Sequence, residues 1–225
     1  MNQTDGNMTD YTKTKRTTLK RAHERGVYDR DRVHAILDEA LICHVGFIHD
    51  GAPAVIPTAH WREDETLYIH GSSASRMMRA LENGAPACIE VTMTDGLVLA
   101  RSGYHSSVNY RTVVIYGTGR KLTDEAEILA TLKVFMEKLA PGRWDELRAP
   151  NAQEKKATTV LAFDLVEVSA KIRDGGVEDE PEDMNDPVWA GVVPMHRTFG
   201  EPEPDGQLRD DIGLPGYLKD YKGPR

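Results

Sequence analysis

The chain has 225 residues, of which 40% are hydrophobic, so it has enough apolar material for one large domain or two small ones. Its formal charge is -8, from 28 Lys and Arg against 36 Asp and Glu, which argues against general nucleic-acid binding, where a basic face is expected. Residues 174–225 carry 13 acidic groups and 5 basic ones, so the acidic surplus lies in the C-terminal tail and not in the middle of the chain.

The cysteines and the N-terminus indicate the compartment. Cys43 and Cys88 lie in apolar, strand-like surroundings without CxxC spacing, so we expect neither a disulfide framework nor a metal site. Residues 1–21 contain no apolar segment, and no run approaches the roughly 18 apolar residues of a membrane span. These features predict a cytoplasmic protein with reduced thiols and no membrane partner.

The first predicted elements are an arm and a helix. Residues 1–28 are polar and rich in Thr, Lys and Arg, which is typical of a flexible arm that docks onto the body of the protein. From Asp29 the apolar residues follow the spacing of one helical face, at Val33, Ile36, Leu37, Ala40 and Leu41. The pattern predicts an amphipathic helix that begins at Asp29 or Asp31.

A β-rich region follows. Residues 43–50 and 53–61 predict a hairpin around Asp50-Gly51, and residues 66–71 predict a third strand. Residues 73–84 fit a short helix that ends at Gly84.

The rest of the chain predicts mainly strands and one long helix. Residues 87–96 and 97–103 suggest two strands around Thr94-Asp95-Gly96, and residues 108–121 suggest one long strand. A helix over 123–139, ended by Pro141-Gly142, precedes a last long strand over 158–172. The apolar island at 189–195, inside the acidic tail, suggests a strap anchored on the body.

This order of elements predicts a mainly β protein with peripheral helices. Because no βαβ alternation and no glycine fingerprint occur, a small antiparallel barrel fits better than a Rossmann sheet. We expect an N-terminal arm (1–28), a barrel domain (29–173) and an acidic, Pro- and Gly-rich tail (174–225) strapped on the barrel or on a dimer partner.

Three segments concentrate groups that can bind a ligand. Residues 70–76 combine three serines with Arg76 at a strand-to-helix turn, which suits a phosphate dianion; the alternative is a serine cap beside an exposed arginine. Residues 104–111 offer many hydrogen-bond donors, but a polar turn has the same composition. In residues 56–61, Pro57 indicates an edge strand or a backbone that faces a ligand.

Two other kinds of chemistry are disfavoured. The serines lie in no GxSxG elbow and have no motif that links them to a histidine and an acid, which argues against a hydrolase. Metal ligation by His60, His70 and His105 is disfavoured because their spacings fit no HExxH pattern.

Residues 29–81 and 105–122 resemble the pyridoxamine 5'-phosphate oxidase-like superfamily of FMN-binding split barrels. They are most similar to the flavin-nucleotide-binding branch that includes the nitroimidazole-resistance proteins. The similarity spans about residues 14–173, and WAGVVP at 189–194 is also typical of this branch. The resemblance implies an antiparallel split β-barrel and a homodimer with the flavin at the subunit interface, where the second subunit supplies some of the contacts.

The resemblance also implies the residues that would hold FMN. The family's ring-binding strand corresponds to Val55, Ile56, Pro57 and Thr58, and the next strand carries Tyr68, Ile69 and His70. Ser75 and Arg76 match two members of its phosphate-binding Ser-Arg-Lys cluster, with Met77 in place of the lysine and Ser72 and Ser73 as further donors. The remaining residues expected near the flavin are Ser107, Asn109, Arg111, Thr112 and Trp189.

The function expected from this resemblance is that of an FMN-dependent oxidoreductase with an unidentified small-molecule substrate. Its catalytic residues are unknown, although His60 or His105 can donate a proton or a hydrogen bond to a substrate. The vitamin B6 oxidases end in a substrate motif that contains an arginine and a tryptophan; Trp189 can take the place of the tryptophan, but WAGVVPM contains no arginine, which disfavours that activity. One alternative is a non-catalytic flavin or haem carrier in which His70 or His105 is the axial ligand, and another is a barrel that has lost its site.

Overall fold

The computed structural model describes residues 10–223, and in this part of the chain ten strands and four α-helices form a mainly antiparallel β structure. The helices are α1 (Arg30–Glu39), α2 (Arg76–Glu82), α3 (Glu125–Leu139) and α4 (Ala152–Ala157). The strands are β1 (Gly26–Val27), β2 (Ile42–His49), β3 (Ala52–Glu63), β4 (Thr66–Ser72), β5 (Pro86–Leu99), β6 (Ser107–Thr118), β7 (Arg120–Lys121), β8 (Thr158–Asp164), β9 (Glu167–Arg173) and β10 (Gly191–Pro194).

Local sequence signals explain several of these boundaries. The Asp29 carboxylate accepts a hydrogen bond from the Arg32 backbone N–H at 2.9 Å and caps the N-terminus of α1. Asp124 caps α3 in the same way. In the hairpin between β2 and β3, Asp50 and Gly51 have φ angles of +50° and +76°, which is the left-handed backbone that a two-residue turn requires.

The strands form one sheet in the order β1-β9-β6-β5-β2-β3-β4-β8-β7, with β10 added alongside β5. The main core lies between the inner face of this sheet and helices α1 and α2. A second, smaller core forms where α3 packs on Trp61, Leu122, Val160 and Ala162. The predicted fold, an antiparallel split barrel with peripheral helices, is confirmed, and the second core builds the site described below.

Three strand predictions were wrong in detail. Pro86–Leu99 forms one strand, β5, because Thr94-Asp95-Gly96 is a bulge and not a turn, and residues 100–103 lie outside it. Residues 158–172 form two strands, β8 and β9, separated by a bend at Leu165-Val166. The strand predicted over 108–121 breaks at Gly119, where the Phe163 ring leaves no room for a side chain.

The two ends of the described chain lie against the sheet. The Tyr11 backbone N–H bonds to the Tyr28 carbonyl at 2.8 Å, and the Tyr11 hydroxyl bonds to Glu65 at 2.8 Å. Residues 1–9 of the predicted arm lie outside the described residues. At the other end, Asp179 binds both the backbone N–H and the guanidinium of Arg101, and β10 then pairs with β5. No helix among residues 10–223 is long and apolar enough to cross a membrane.

Candidate functional site

A largely apolar pocket of about 710 Å³ lies beside α3, between that helix, β4 and the segment 144–150. Three charged side chains, Lys133, Asp145 and Arg148, belong to its lining. The other lining residues are His70, Leu129, Ala130, Leu132, Phe135, Met136, Trp144, Leu147, Ala149 and Pro150. This volume is in the range of sites for cofactor-sized molecules.

The sequence around the end of α3 explains why the pocket exists. Gly142 has a φ of +88°, which allows the chain to reverse direction directly after the helix. A short 3₁₀ turn, Trp144–Glu146, then follows and contacts α3. Trp144 and Leu147 therefore face the apolar side chains of α3 across an open space.

His70 is the polar residue of the pocket that lies deepest in the fold. Its imidazole packs against the rings of Phe135 and Trp61, with centroids 5.2 and 5.6 Å away. Its Nδ1 atom is buried and has no hydrogen-bond partner among the described residues. Burial lowers the pKa of His70, which favours the neutral imidazole, the form that ligates metals.

Trp61 holds this region together. The buried indole N–H donates to the Thr131 hydroxyl on α3 at 2.6 Å, and the indole stacks on Tyr68 with centroids 5.7 Å apart and planes 13° apart. A single side chain of β3 therefore fixes α3 on the sheet and packs against His70. The His70 carbonyl also accepts a hydrogen bond from Thr58, at 3.5 Å.

The outer face of the sheet is a second candidate surface. Strand alternation places Val55 and Pro57 of β3 on this face, opposite the core, and Val55 is 65% exposed. Ile42 and Ile48 of β2 are also exposed there. The centre of this face carries a polar group in which Thr112 Oγ1 lies 2.9 Å from Glu90 Oε1. The combination of exposed apolar residues and polar groups is typical of a buried interface or a ligand surface.

Comparison with known proteins identifies the family. The family model described as "Pyridoxamine 5'-phosphate oxidase" matches residues 29–172. The chain belongs to the pyridoxamine 5'-phosphate oxidase family. A comparison with curated proteins gives no match.

Solved structures share the architecture of this pyridoxamine 5'-phosphate oxidase family member. The flavocytochrome Anf3 from Azotobacter vinelandii is 40% identical, with a TM-score of 0.89 over 93% of this chain and 98% of that one. The FAD and heme binding protein from Mycobacterium smegmatis is 34% identical, with a TM-score of 0.84 over 89% and 98%. A putative 5-nitroimidazole antibiotic resistance protein from Bacteroides thetaiotaomicron, at 20% identity and a TM-score of 0.56 over 65% and 86%, shares the fold.

The flavin residues that the pyridoxamine 5'-phosphate oxidase family implies are divided between the two faces of the sheet. Val55 and Pro57 lie on the outer face, as does Thr112 of β6. Ile56 and Thr58 lie on the inner face, because they pair with the core residues Val45 and Cys43. Of these four β3 residues, only Val55 and Pro57 therefore present their side chains to a ligand on the outer face.

His60 occupies a core position. Its ring is fully buried, and Nε2 lies 3.0 Å from the Leu37 carbonyl at the end of α1. Burial, with a contribution from Lys138, lowers the pKa of His60 to about 4. The sequence predicted that His60 contacts a flavin or a substrate, but its ring has no accessible surface with which to do so.

The serine cluster surrounds the start of α2. The Ser73 hydroxyl donates to the Lys156 carbonyl at 3.3 Å, while Ser75 precedes the helix without a side-chain cap bond and Ser72 is exposed. Arg76 is exposed and makes no ion pair among residues 10–223, so its guanidinium is accessible to an anion. Met77 is 3% exposed and belongs to the core, so this side chain does not face a phosphate at the surface.

The remaining predicted residues lie apart from the His70 pocket. Asn109 is buried and donates to the Gly175 carbonyl, and Ser107 is exposed at the start of β6. The Arg111 guanidinium binds both Asp95 and Glu39, as described further below. Trp189 precedes β10 and is 65% exposed.

His105 also lies outside the pocket. Its Nε2 is 3.7 Å from Glu180, at the point where the tail leaves the barrel. Of the two histidines considered as haem ligands, only His70 lies in an apolar pocket.

The sequence analysis missed α3 and residues 144–150 as parts of a site. The available signal was Trp144 and Leu147, two large apolar side chains in a segment that was otherwise polar.

Proposed function

We propose that this protein binds a haem in the His70 pocket and a flavin nucleotide on the outer face of the sheet, and that it is an oxidoreductase that transfers electrons between them. The observation that carries the proposal is the imidazole of His70, which lines a large apolar pocket and has an unpartnered nitrogen. The Nδ1 atoms of His60 and His105 are also buried without a partner, but of these three histidines only His70 lines the apolar pocket, so its position there distinguishes it.

The residues around the pocket fit a haem. The walls are apolar and contain three aromatic or large side chains, Phe135, Met136 and Trp144, that suit a flat macrocycle. Lys133 and Arg148 at the pocket supply the positive charge that two propionate groups need. Both cations are exposed and now pair with Asp145 and Glu154, at 3.1 and 2.5 Å. The chain has no C-x-x-C-H motif, so the haem would be held without covalent bonds.

The relatives support the same pair of cofactors. The two neighbours above 30% identity are named a flavocytochrome and an FAD and heme binding protein, and each is covered over 98% of its length. We propose the same two cofactors for the present chain, with FMN or FAD as the flavin.

For the flavin, the outer face offers the side chains of Val55, Pro57 and Thr112. Arg76, at the start of α2, is an exposed cation that would bind the flavin phosphate. Exposed Ile42, Ile48 and Val55 would be covered by a second copy of the chain, so we propose a homodimer with the flavin between its subunits. The second subunit would also supply contacts that a single chain lacks.

In this assignment the cofactors supply the electron chemistry, and the protein supplies orientation and electrostatics. His70 remains neutral because burial disfavours its charged form, which leaves one ring nitrogen with a lone pair for the iron. Phe135 and Trp61 restrict the ring, and the Trp61–Thr131 hydrogen bond fixes α3 as the opposite wall.

The test is reconstitution of the purified full-length chain with haemin and with FMN or FAD, followed by visible spectroscopy. We expect a Soret band that is lost or shifted in His70→Ala and unchanged in the matched control His105→Ala. Circular dichroism and flavin binding would show that His70→Ala is folded. A Soret band that is the same in both variants would refute the His70 assignment.

The flavin part needs its own readout. We expect Arg76→Ala to weaken flavin binding by about tenfold or more, as for the loss of a charge-assisted hydrogen bond, while Arg79→Ala does not. Anaerobic mixing with NADH or NADPH would test electron entry. A bound flavin that neither donor reduces, with a haem that also stays oxidised, would favour a carrier over an oxidoreductase.

A further inference from the structure

The sheet is open along one side of β5. Strand β2 pairs with β5 only as far as Glu90, and β10 begins to pair with it at Gly96. Between these points, residues 91–94 of β5 have no neighbouring strand on this side among the described residues, and the Asp95 carbonyl accepts a hydrogen bond from the Met195 N–H at 2.9 Å. In an antiparallel strand, alternate residues of such a stretch direct N–H and C=O groups into the opening, where a ligand can bind them.

This opening is a cavity of about 600 Å³ that shares no residue with the His70 pocket. Its apolar surface comes from Met93 of β5 and from Met195 and Phe199 of the tail. Because the tail closes one side, the cavity exists only when β10 is in place. The Phe199 ring packs edge-on against Tyr221, with centroids 5.2 Å apart, and Phe199 is 38% exposed, so part of it is accessible to a ligand.

The deep part of the cavity is already neutralised. The Arg111 guanidinium binds the Asp95 carboxylate through two hydrogen bonds of 2.8 Å and the Glu39 carboxylate through bonds of 2.5 and 3.0 Å. Because the Arg111 charge offsets that of the two carboxylates, they repel an anion less strongly. Arg111 itself has few N–H groups left to donate to a ligand.

The mouth of the cavity carries unpaired positive charge. Arg197 uses one N–H to bond the Glu39 carbonyl at 3.1 Å, and it makes no ion pair among residues 10–223. Lys222 also lines the cavity and has no carboxylate partner in that part of the chain. Three cations thus face two carboxylates, and the two cations without a carboxylate lie on the solvent side.

We propose that this cavity binds a small aromatic anion, a carboxylate or a phosphate, with its charge at Arg197 and Lys222 and its ring against Phe199. This anion is separate from the flavin phosphate, which the proposed function assigns to Arg76, a residue that does not line the cavity. The proposal does not depend on the haem in the His70 pocket.

Isothermal titration calorimetry of the full chain with benzoate, and with its neutral isostere benzamide, tests the proposal. We expect benzoate to bind with a dissociation constant that rises with ionic strength, and benzamide to bind far more weakly. Arg197→Met should weaken benzoate binding by about tenfold or more, and Lys222→Met should also weaken it. The matched controls Arg209→Met and Lys219→Met change exposed tail cations that do not line the cavity.

Several results would overturn the proposal. Equal affinity for benzamide and benzoate would show that the negative charge does not contribute to binding. An Arg197→Met variant that binds benzoate like the native chain would show that Arg197 does not hold the anion. Lack of benzoate binding would also overturn it. A repeat with flavin-loaded protein tests whether the cavity is a separate site: benzoate that binds equally well supports the proposal, and benzoate that the flavin displaces overturns it.

Discussion

Lys138 is a buried lysine of α3, and replacing it with methionine should change how the stability of the protein depends on pH. The side chain is 7% exposed, and its Nζ donates to the Leu37 and Ala40 carbonyls at 3.1 and 2.8 Å, at the C-terminus of α1. Burial lowers the pKa of Lys138 from 10.5 to about 8, and the favourable effect of Asp38 does not compensate.

The size and the sign follow from these two pKa values. Below pH 8 the lysine is charged in both the folded and the unfolded chain, and the folded chain carries the full desolvation cost. Between pH 8 and 10.5 the folded chain releases the proton while the unfolded chain keeps it, so stability rises with pH. The change is on the order of 3 kcal/mol. Near pH 7 the variant should differ little from the native chain, because lost hydrogen bonds oppose the relieved desolvation.

Urea unfolding of the native chain and of Lys138→Met at several pH values between 7 and 10.5 gives the difference directly, since all other titrations cancel. The native chain should gain stability relative to the variant across this interval. Lys133→Met, which changes an exposed lysine on the same helix, is the control and should show no such trend. A difference between native chain and Lys138→Met that stays constant with pH would refute the reasoning.

Three further changes test other contacts. Thr131→Val leaves the buried Trp61 N–H without an acceptor and should lower the unfolding free energy by about 1–3 kcal/mol in urea titrations, with Thr131→Ser as the rescue. His60 stays neutral in the fold until about pH 4, so the native chain should lose on the order of 3 kcal/mol as pH falls from 6.5 to 4. His60→Gln should flatten that loss in acid unfolding curves. Gly96→Ala places a methyl group 3.0 Å from the Val193 carbonyl, so limited proteolysis should cut the displaced tail faster than in the native chain.

Much of the fold could be predicted because its signals are local. Asp29 and the apolar spacing after it predict α1, and Asp50-Gly51 predicts the first hairpin. Thr94-Asp95-Gly96 misled the prediction for the same reason: its composition is that of a turn, and only the pairing of β5 with β6 on both sides makes it a bulge.

The site was harder to predict because its parts are distant in sequence. His70 and Leu147 line one pocket although 77 positions separate them, and no local pattern carries that contact. The resemblance implied that residues 55–58 face a flavin as one segment, but strand alternation places Val55 and Pro57 on the outer face and Thr58 on the opposite face. Single-residue shifts of this kind decide which side chains reach a ligand.

The last turn of α1 ends without a glycine, and its carbonyls are bound by side chains from three remote parts of the chain. His60 of β3 and Lys138 of α3 share the Leu37 carbonyl, while Arg197 of the tail holds that of Glu39. Helix ends normally fray independently of the rest of a protein. Here amide hydrogen exchange in the last turn of α1 should follow the opening of α3 and of the tail, so that this turn reports on the walls of both pockets.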